Sequence, residues 1–289
     1  MLPCFHKSEL CTKNENKKMM IIVLSISGLL VLTLFIGKIN LSVQFRKQVK
    51  QLFVESKSIS DQTFHKKQLD NLPEPVQRYF NHILKEGQPY ISSARIKHDG
   101  QFKTGIDKGW INIRGEQYAT TEIPGFIWKG TTKMFTARDM YIAGKGRLVV
   151  SLFSLYNIVD VKGEQYNQGE LLRWLGESVW YPTNLLPSEE LQWFPIDSLT
   201  ARLTFNYSSL SLFFIISFNE IGEITQMETK RYMDEKKLET WVIKLADYKE
   251  INTVVVPTTS EVLWRLAKAD FSYARFNITE VEYNKPEKF

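Results

Sequence analysis

Beyond residue 11 the chain contains no cysteine; its only two, Cys4 and Cys11, both precede a long apolar run. No disulfide framework can therefore support the remainder, which must stand on a hydrophobic core of its own. The two thiols read as ordinary reduced cysteines or as acylation sites beside a membrane helix. Histidine is scarce too. Beyond the N-terminal tail there are only His65, His82 and His98, whose spacing fits no metal pattern, so no metal site is expected and we read all three as surface or capping residues. There is no G-x-S-x-G elbow, H-E-x-x-H, P-loop or C-x-x-C. The run from Gly144 to Gly146 opens like a dinucleotide loop but lacks a third glycine and a βαβ setting. No catalytic residue and no cofactor is expected. A dominant charge is also missing: 37 basic residues face 32 acidic ones, for a net +5. They are dispersed, without the dense basic stripe that nucleic-acid binding requires, so no nucleic-acid partner is expected.

What is present begins with MMIIVLSISGLLVLTLFIG, residues 19–37, which carries no charge. As a helix it would span about 28 Å, close to the hydrocarbon thickness of a bilayer. It is longer than the apolar core of a secretory signal, and no small-x-small pair sits at its end. We read it as an uncleaved single-pass anchor. Lys7, Lys13, Lys17 and Lys18 precede it, and Lys38, Arg46, Lys47 and Lys50 follow, so the positive-inside count ties. Because a short leading tail is usually retained inside, the expectation is a cell-membrane protein with its main domain outside the cytoplasm.

Past the anchor, Leu41, Val43, Phe45, Val49, Leu52 and Phe53 recur at roughly helical spacing, an amphipathic stalk leading to a polar linker. The expected organisation is a tail (1–18), the anchor (19–37), stalk and linker (38–63) and a β-rich domain (64–289) with a helical insertion near 168–187. A short helix starts near Pro75 and buries Val76, Phe80, Ile83 and Leu84. From residue 90 the period becomes alternating, with glycines between short strands. Strands are expected over 126–135, 139–143, 147–161, 224–232, 238–248, 254–257, 260–267 and 272–283. The clearest is 199–207, where Leu199, Ala201, Leu203, Phe205 and Tyr207 alternate with polar residues. Residues 210–218 are nearly all apolar and read as a strand covered on both faces. Between Ile278 and Val281 the apolar parity flips, which signals a bulge.

The insertion has Leu171, Leu172, Trp174, Leu175, Val179 and Trp180 on one helical face, and Glu170, Arg173 and Glu177 on the other. Two readings of these polar groups stay open: a solvated helix face, or paired carboxylates beside aromatic rings, as glycosidases use. The tryptophans also have two readings. Trp174, Trp180 and Trp193, with Leu185 and Leu186, are either sheet core or the lining of a groove between a curved sheet and a lid helix, suited to an acyl chain.

The runs LPEPVQRY at 72–79, ELLRWL at 170–175, VWYPT at 179–183 and LLP at 185–187 resemble an uncharacterised bacterial family of unknown function. So do RY at 231–232, VPT at 256–258, VLW at 262–264 and DFSYAR at 270–275. Ile251 and Asn252 stand where that pattern leads one to expect a glycine. The resemblance covers roughly 70–285 and implies a membrane-anchored protein with a lipoprotein-carrier-like half-barrel.

Together these readings give an α+β fold: an N-terminal transmembrane helix, then a curved antiparallel sheet with helices packed across one face. The functional expectation is a non-enzymatic module for a lipid or other hydrophobic ligand, lined by Trp174, Trp180, Leu185, Leu186 and Trp193, with Glu170, Arg173 and Glu177 as nearby polar groups. The alternatives are a structural or protein-interaction domain, with its partner unspecified, and an envelope-acting hydrolase.

Overall fold

The computed structural model describes residues 5–55 and 60–289, with side chains at 16–54 and 60–289. Cys4, the side chain of Cys11 and linker residues 56–59 lie outside the described residues. Helix α1 (Phe5–Glu55) is continuous. It holds the stretch among the described residues that is long and apolar enough to cross a membrane, and none of that stretch is buried. A 3₁₀ turn at Lys66–Leu69 leads to α2 (Glu74–Ile83), which has Pro75 in its first turn and buries Val76, Tyr79, Phe80 and Ile83.

Six strands then run up and down: β1 (Ser93–Phe102), β2 (Ile111–Thr120), β3 (Gly125–Thr131), β4 (Phe135–Ile142), β5 (Lys145–Leu152) and β6 (Tyr156–Lys162). Helix α3 (Glu164–Gly176) follows, with 3₁₀ turns at Glu177–Trp180 and Pro182–Leu185. Seven more strands complete the chain: β7 (Leu191–Asp197), β8 (Thr200–Tyr207), β9 (Leu210–Phe218), β10 (Ile224–Tyr232), β11 (Leu238–Ile251), β12 (Val254–Arg265) and β13 (Asp270–Tyr283). All belong to one 13-stranded sheet, in which β1 pairs with β13 and the two meanders run outward to free edges at β6 and β7.

The sheet is strongly curved. Strands β5 and β10 lie eight places apart in the strand order, yet both contact α3. In a flat sheet eight spacings would separate them by about 38 Å, more than a helix roughly 10–12 Å wide can bridge. The sheet therefore wraps around α3, which lies in its trough. The main core fills the concave side, where α2, α3 and the 3₁₀ turns meet β-strand side chains. A second core sits on the convex side. There the stalk residues Phe45, Val49, Leu52 and Phe53 pack on Tyr118, Ile127 and Met140, so the apolar face of the stalk docks against β2 to β4.

The register explains where strand boundaries depart from the sequence reading. Residues 147–161 form two strands, because a turn at 153–155 reverses the chain. The stretches 254–257 and 260–267 are one strand, β12, with Pro257 inside it. Next to it Thr258 and its opposite number Asp247 of β11 both drop out of the ladder, and Thr258 Oγ1 donates to the Asp247 carbonyl at 2.6 Å. The register is the same on either side of this break, where Asp247 adopts left-handed backbone at φ 55° beside the proline. Strand β7 was not foreseen, since Pro195 and its exposed positions mask the pattern. Strand β9 is buried on one face only: Leu212, Phe214, Ile216 and Phe218 point inward, while Phe213 lies partly exposed under Arg202. Between β1 and β13 the register skips Thr279, the bulge that the parity change signals.

Candidate functional site

Directly paired residues of an antiparallel sheet share a face, so the register traces the trough residue by residue. Gln117, Trp128, Asp139, Leu148 and Val161 form one row across β2 to β6. Gly115, Gly130, Ala137, Val150 and Val159 form the next. The two glycines make room for rings. A Cβ at Gly115 would lie 1.8 Å from His98 Nε2, and one at Gly130 would lie 2.1 Å from the Trp128 ring. The two ring planes lie within 2° of each other, edge to edge, and Trp128 Nε1 donates to His98 Nε2 at 2.8 Å. That bond places the histidine proton on Nδ1, facing the Asp99 carbonyl at 3.4 Å. Burial pushes the His98 pKa down to about 4, with the Arg173 charge adding to the effect. The expectation of a surface or capping residue is corrected for His98, which is buried on the concave face; His65 does cap the 3₁₀ turn.

The polar face of α3 is not solvated. Glu170 and Arg173 are buried, because from Gly169 onward α3 has sheet on several sides. Arg173 donates to Asp139 Oδ2 and, at 2.8 Å, to Glu177 Oε1, while Gln117 Nε2 donates to Glu177 Oε2 at 2.7 Å. The Arg173 guanidinium also lies 4.7 Å from the Trp128 ring centre. Across the trough Arg231 of β10 sits over Trp241 at 4.5 Å and reaches Glu170 Oε1 at 3.6 Å. Among the described residues, Asp139 Oδ1, Glu170 Oε2, Arg231 Nε and Thr229 Oγ1 are buried without a hydrogen-bond partner. Each such group costs roughly 1–3 kcal/mol unless it is satisfied. Burial pushes the Glu170 pKa up to about 8; Asp139 adds to this, while Arg231 and Arg173 oppose it. Asp139 is raised as well, again mainly by burial. Burial thus favours the protonated form of Glu170, which lies between two arginines.

The five apolar residues expected to line a groove are all in the main core. Three indole N–H groups are tied to backbone carbonyls: Trp174 to Thr120 at 2.8 Å, Trp180 to Pro257 at 3.1 Å and Trp193 to Leu185 at 2.9 Å. Leu185 and Leu186 are buried alongside them. One partly exposed apolar stretch of the trough lies elsewhere, at Ala137, Leu148, Val150, Val159 and Val161, beside free edge β6. This aliphatic wall runs into the polar cluster, since Leu148 pairs with Asp139. It was hidden in the sequence because β5 and β6 read as one strand. Two surface depressions, of about 330 and 360 Å³, lie away from the cluster and are lined largely by polar residues, among them Asn252, Glu282, Lys244 and Arg275. No group of three or more His, Cys, Asp or Glu side chains that could hold a metal ion occurs among the described residues.

The family of unknown function DUF6544 matches residues 62–276. No curated protein matches the chain. Among solved structures, a domain named for outer membrane lipoprotein sorting, from Vibrio parahaemolyticus, is 9% identical, with a TM-score of 0.40; the match covers 67% of this chain and 86% of that one. A LolA superfamily protein from Nitrosomonas europaea is 11% identical, with a TM-score of 0.42; that match covers 73% and 92%.

Proposed function

The chain belongs to DUF6544, a family without an assigned function, and from that premise we propose that it is a membrane-tethered, non-catalytic module that binds an amphiphile, with a lipid or acyl chain as the apolar part. The observation that carries this reading is the trough of β4 to β6, where a partly exposed aliphatic wall ends at a buried polar cluster with unpaired atoms. An acyl chain along Leu148, Val150, Val159 and Val161 would remove apolar area from water, at about 25 cal/mol per Å². A polar head at the inner end would meet Arg231, Asp139 and protonated Glu170, whose orphaned atoms supply one donor and two acceptor or donor positions. Trp174, Trp180, Leu185, Leu186 and Trp193 then back the site as its packed floor, and α3 holds Arg173 and Glu177 in place. The apolar run of α1 tethers the domain beside the bilayer from which such a ligand would come, with the domain outside the cytoplasm.

The test is native mass spectrometry of the full chain, extracted gently from its own membrane, with lipid analysis of what is released. The expected result is one lipid-sized adduct per chain, lost in Val150→Asp and Val159→Asp while the melting temperature stays within a few degrees. An empty protein, or adducts that persist in both variants, would overturn the reading and move the weight to a partner-binding domain.

A further inference from the structure

Two hairpin turns at one end of the sheet, residues 132–135 between β3 and β4 and residues 153–155 between β5 and β6, carry exposed apolar side chains. Met134, Phe153, Leu155, Tyr156 and Ile158 all face solvent, with Tyr156 at 72% exposure. The Phe153 amide donates to the Met134 carbonyl at 2.8 Å, which ties the two turns into one unit. Phe153 and Ser154 both adopt left-handed backbone, at φ 49° and 63°, a conformation disfavoured for a bulky residue. A hairpin tip this apolar is costly to expose to water, and larger exposed apolar patches mark interaction sites.

The position of the tip identifies what covers it. Leu155 and Ser154 close onto α1 at Gly37, where an added Cβ would lie 2.5 Å from Leu155 Cδ2 and 2.9 Å from the Ser154 carbonyl oxygen. Gly37 is the last residue of the uncharged run, so the tip sits at the level where the apolar helix would leave the bilayer. Its flanks carry Lys38 and Lys133, and segments 132–135 and 152–158 contain no acid. Apolar side chains with a tyrosine, rimmed by lysines, match the headgroup boundary of a membrane. We propose that the paired tips at Met134 and Phe153–Ile158 insert into the bilayer interface beside α1 and form a second membrane contact that fixes the tilt of the domain. This rests on the reading of residues 19–37 as a membrane span.

The experiment places single cysteines in the full-length chain carrying Cys4→Ser and Cys11→Ser, in phosphatidylcholine/phosphatidylglycerol nanodiscs, labelled with an environment-sensitive fluorophore. Met134→Cys and Tyr156→Cys report the tips, Leu29→Cys reports the span, and Lys145→Cys, at the opposite end of β5, reports water. Nitroxide lipids labelled near the headgroup are expected to quench both tip sites several-fold more than Lys145, and lipids labelled deep in the chain to quench Leu29. If Leu29 is quenched while Met134 and Tyr156 behave like Lys145, the second contact is overturned and the span stands. If Leu29 is not quenched either, the span reading fails and this proposal fails with it.

Discussion

Replacing Glu170 by glutamine isolates one titration in a site where two opposing ones overlap. The Glu170 carboxyl is raised from an ordinary 4.5 to about 8, so the native protein holds a proton that the unfolded chain releases. Its contribution is fully present below about pH 4.5 and is lost as pH rises towards 8. His98 acts in the other sense: its folded pKa of about 4 lies below the ordinary 6.5. Its contribution is present above pH 6.5 and is lost as pH falls towards 4. Between pH 4.5 and 6.5 the two slopes oppose each other and stability stays level. Above 6.5 His98 no longer contributes and the fall is carried by Glu170, with the raised Asp139 carboxyl of β4 acting in the same sense; Arg231 from β10 and Arg173 and Glu177 from its own helical segment complete the surroundings of Glu170. One and a half pH units at about 1.36 kcal/mol each give a loss of about 2 kcal/mol by pH 8, or about 4–8 °C in Tm for a domain of this size. The assay is thermal unfolding of the full chain in detergent, followed by tryptophan fluorescence from pH 5 to 9. Glu170→Gln keeps the shape without the titration, so its Tm should fall markedly less than the wild type's from pH 6.5 to 8, and should drop below 6.5, where His98 takes up its proton. Parallel curves for variant and wild type above pH 6.5 would refute the reasoning.

Removing Arg173 tests the cluster as a structural unit. Arg173→Ala removes the cation from the partly buried Asp139 and Glu177 carboxylates, leaving Glu177 only its bond from Gln117, and should cost about 3–5 kcal/mol, with partial recovery when Asp139→Asn is added; chemical denaturation measures both. Gly115→Ala should cost about 1–3 kcal/mol by driving a methyl into the His98 ring, and a native-like denaturation midpoint would count against the close packing described. Trp174→Ala should cost about 3–5 kcal/mol as a core deletion, against little change for Val159→Asp on the partly exposed edge; equal losses would mean that floor and wall are not distinct.

Much of the architecture is written locally. The charge-free run 19–37, the alternation at 200–207 and the apolar spacing of Leu171, Trp174 and Leu175 each follow from one element's own period. What the sequence conceals depends on how many neighbours an element has. A helical wheel assigns Glu170, Arg173 and Glu177 to water on the assumption that a helix packs on one side. Here α3 is wrapped by a sheet that touches it from both meanders, so its polar stripe is forced against Asp139, 34 residues upstream of Arg173, and against Arg231, far downstream on β10. The glycines at 115 and 130 carry a related signal. In isolation they read as strand punctuation, and only the register turns them into seats for the His98 and Trp128 rings. The same reasoning locates the aliphatic wall on which the proposed function rests. Val159 and Val161 lie on an edge strand, and their significance comes from the pairing that sets Val161 beside Leu148 and Leu148 beside Asp139. A trough that holds its own helix has little spare volume, so on the proposed reading an incoming chain would enter where the wall is least covered, at β6. The substitutions that separate binding from folding therefore belong on that edge rather than among the tryptophans.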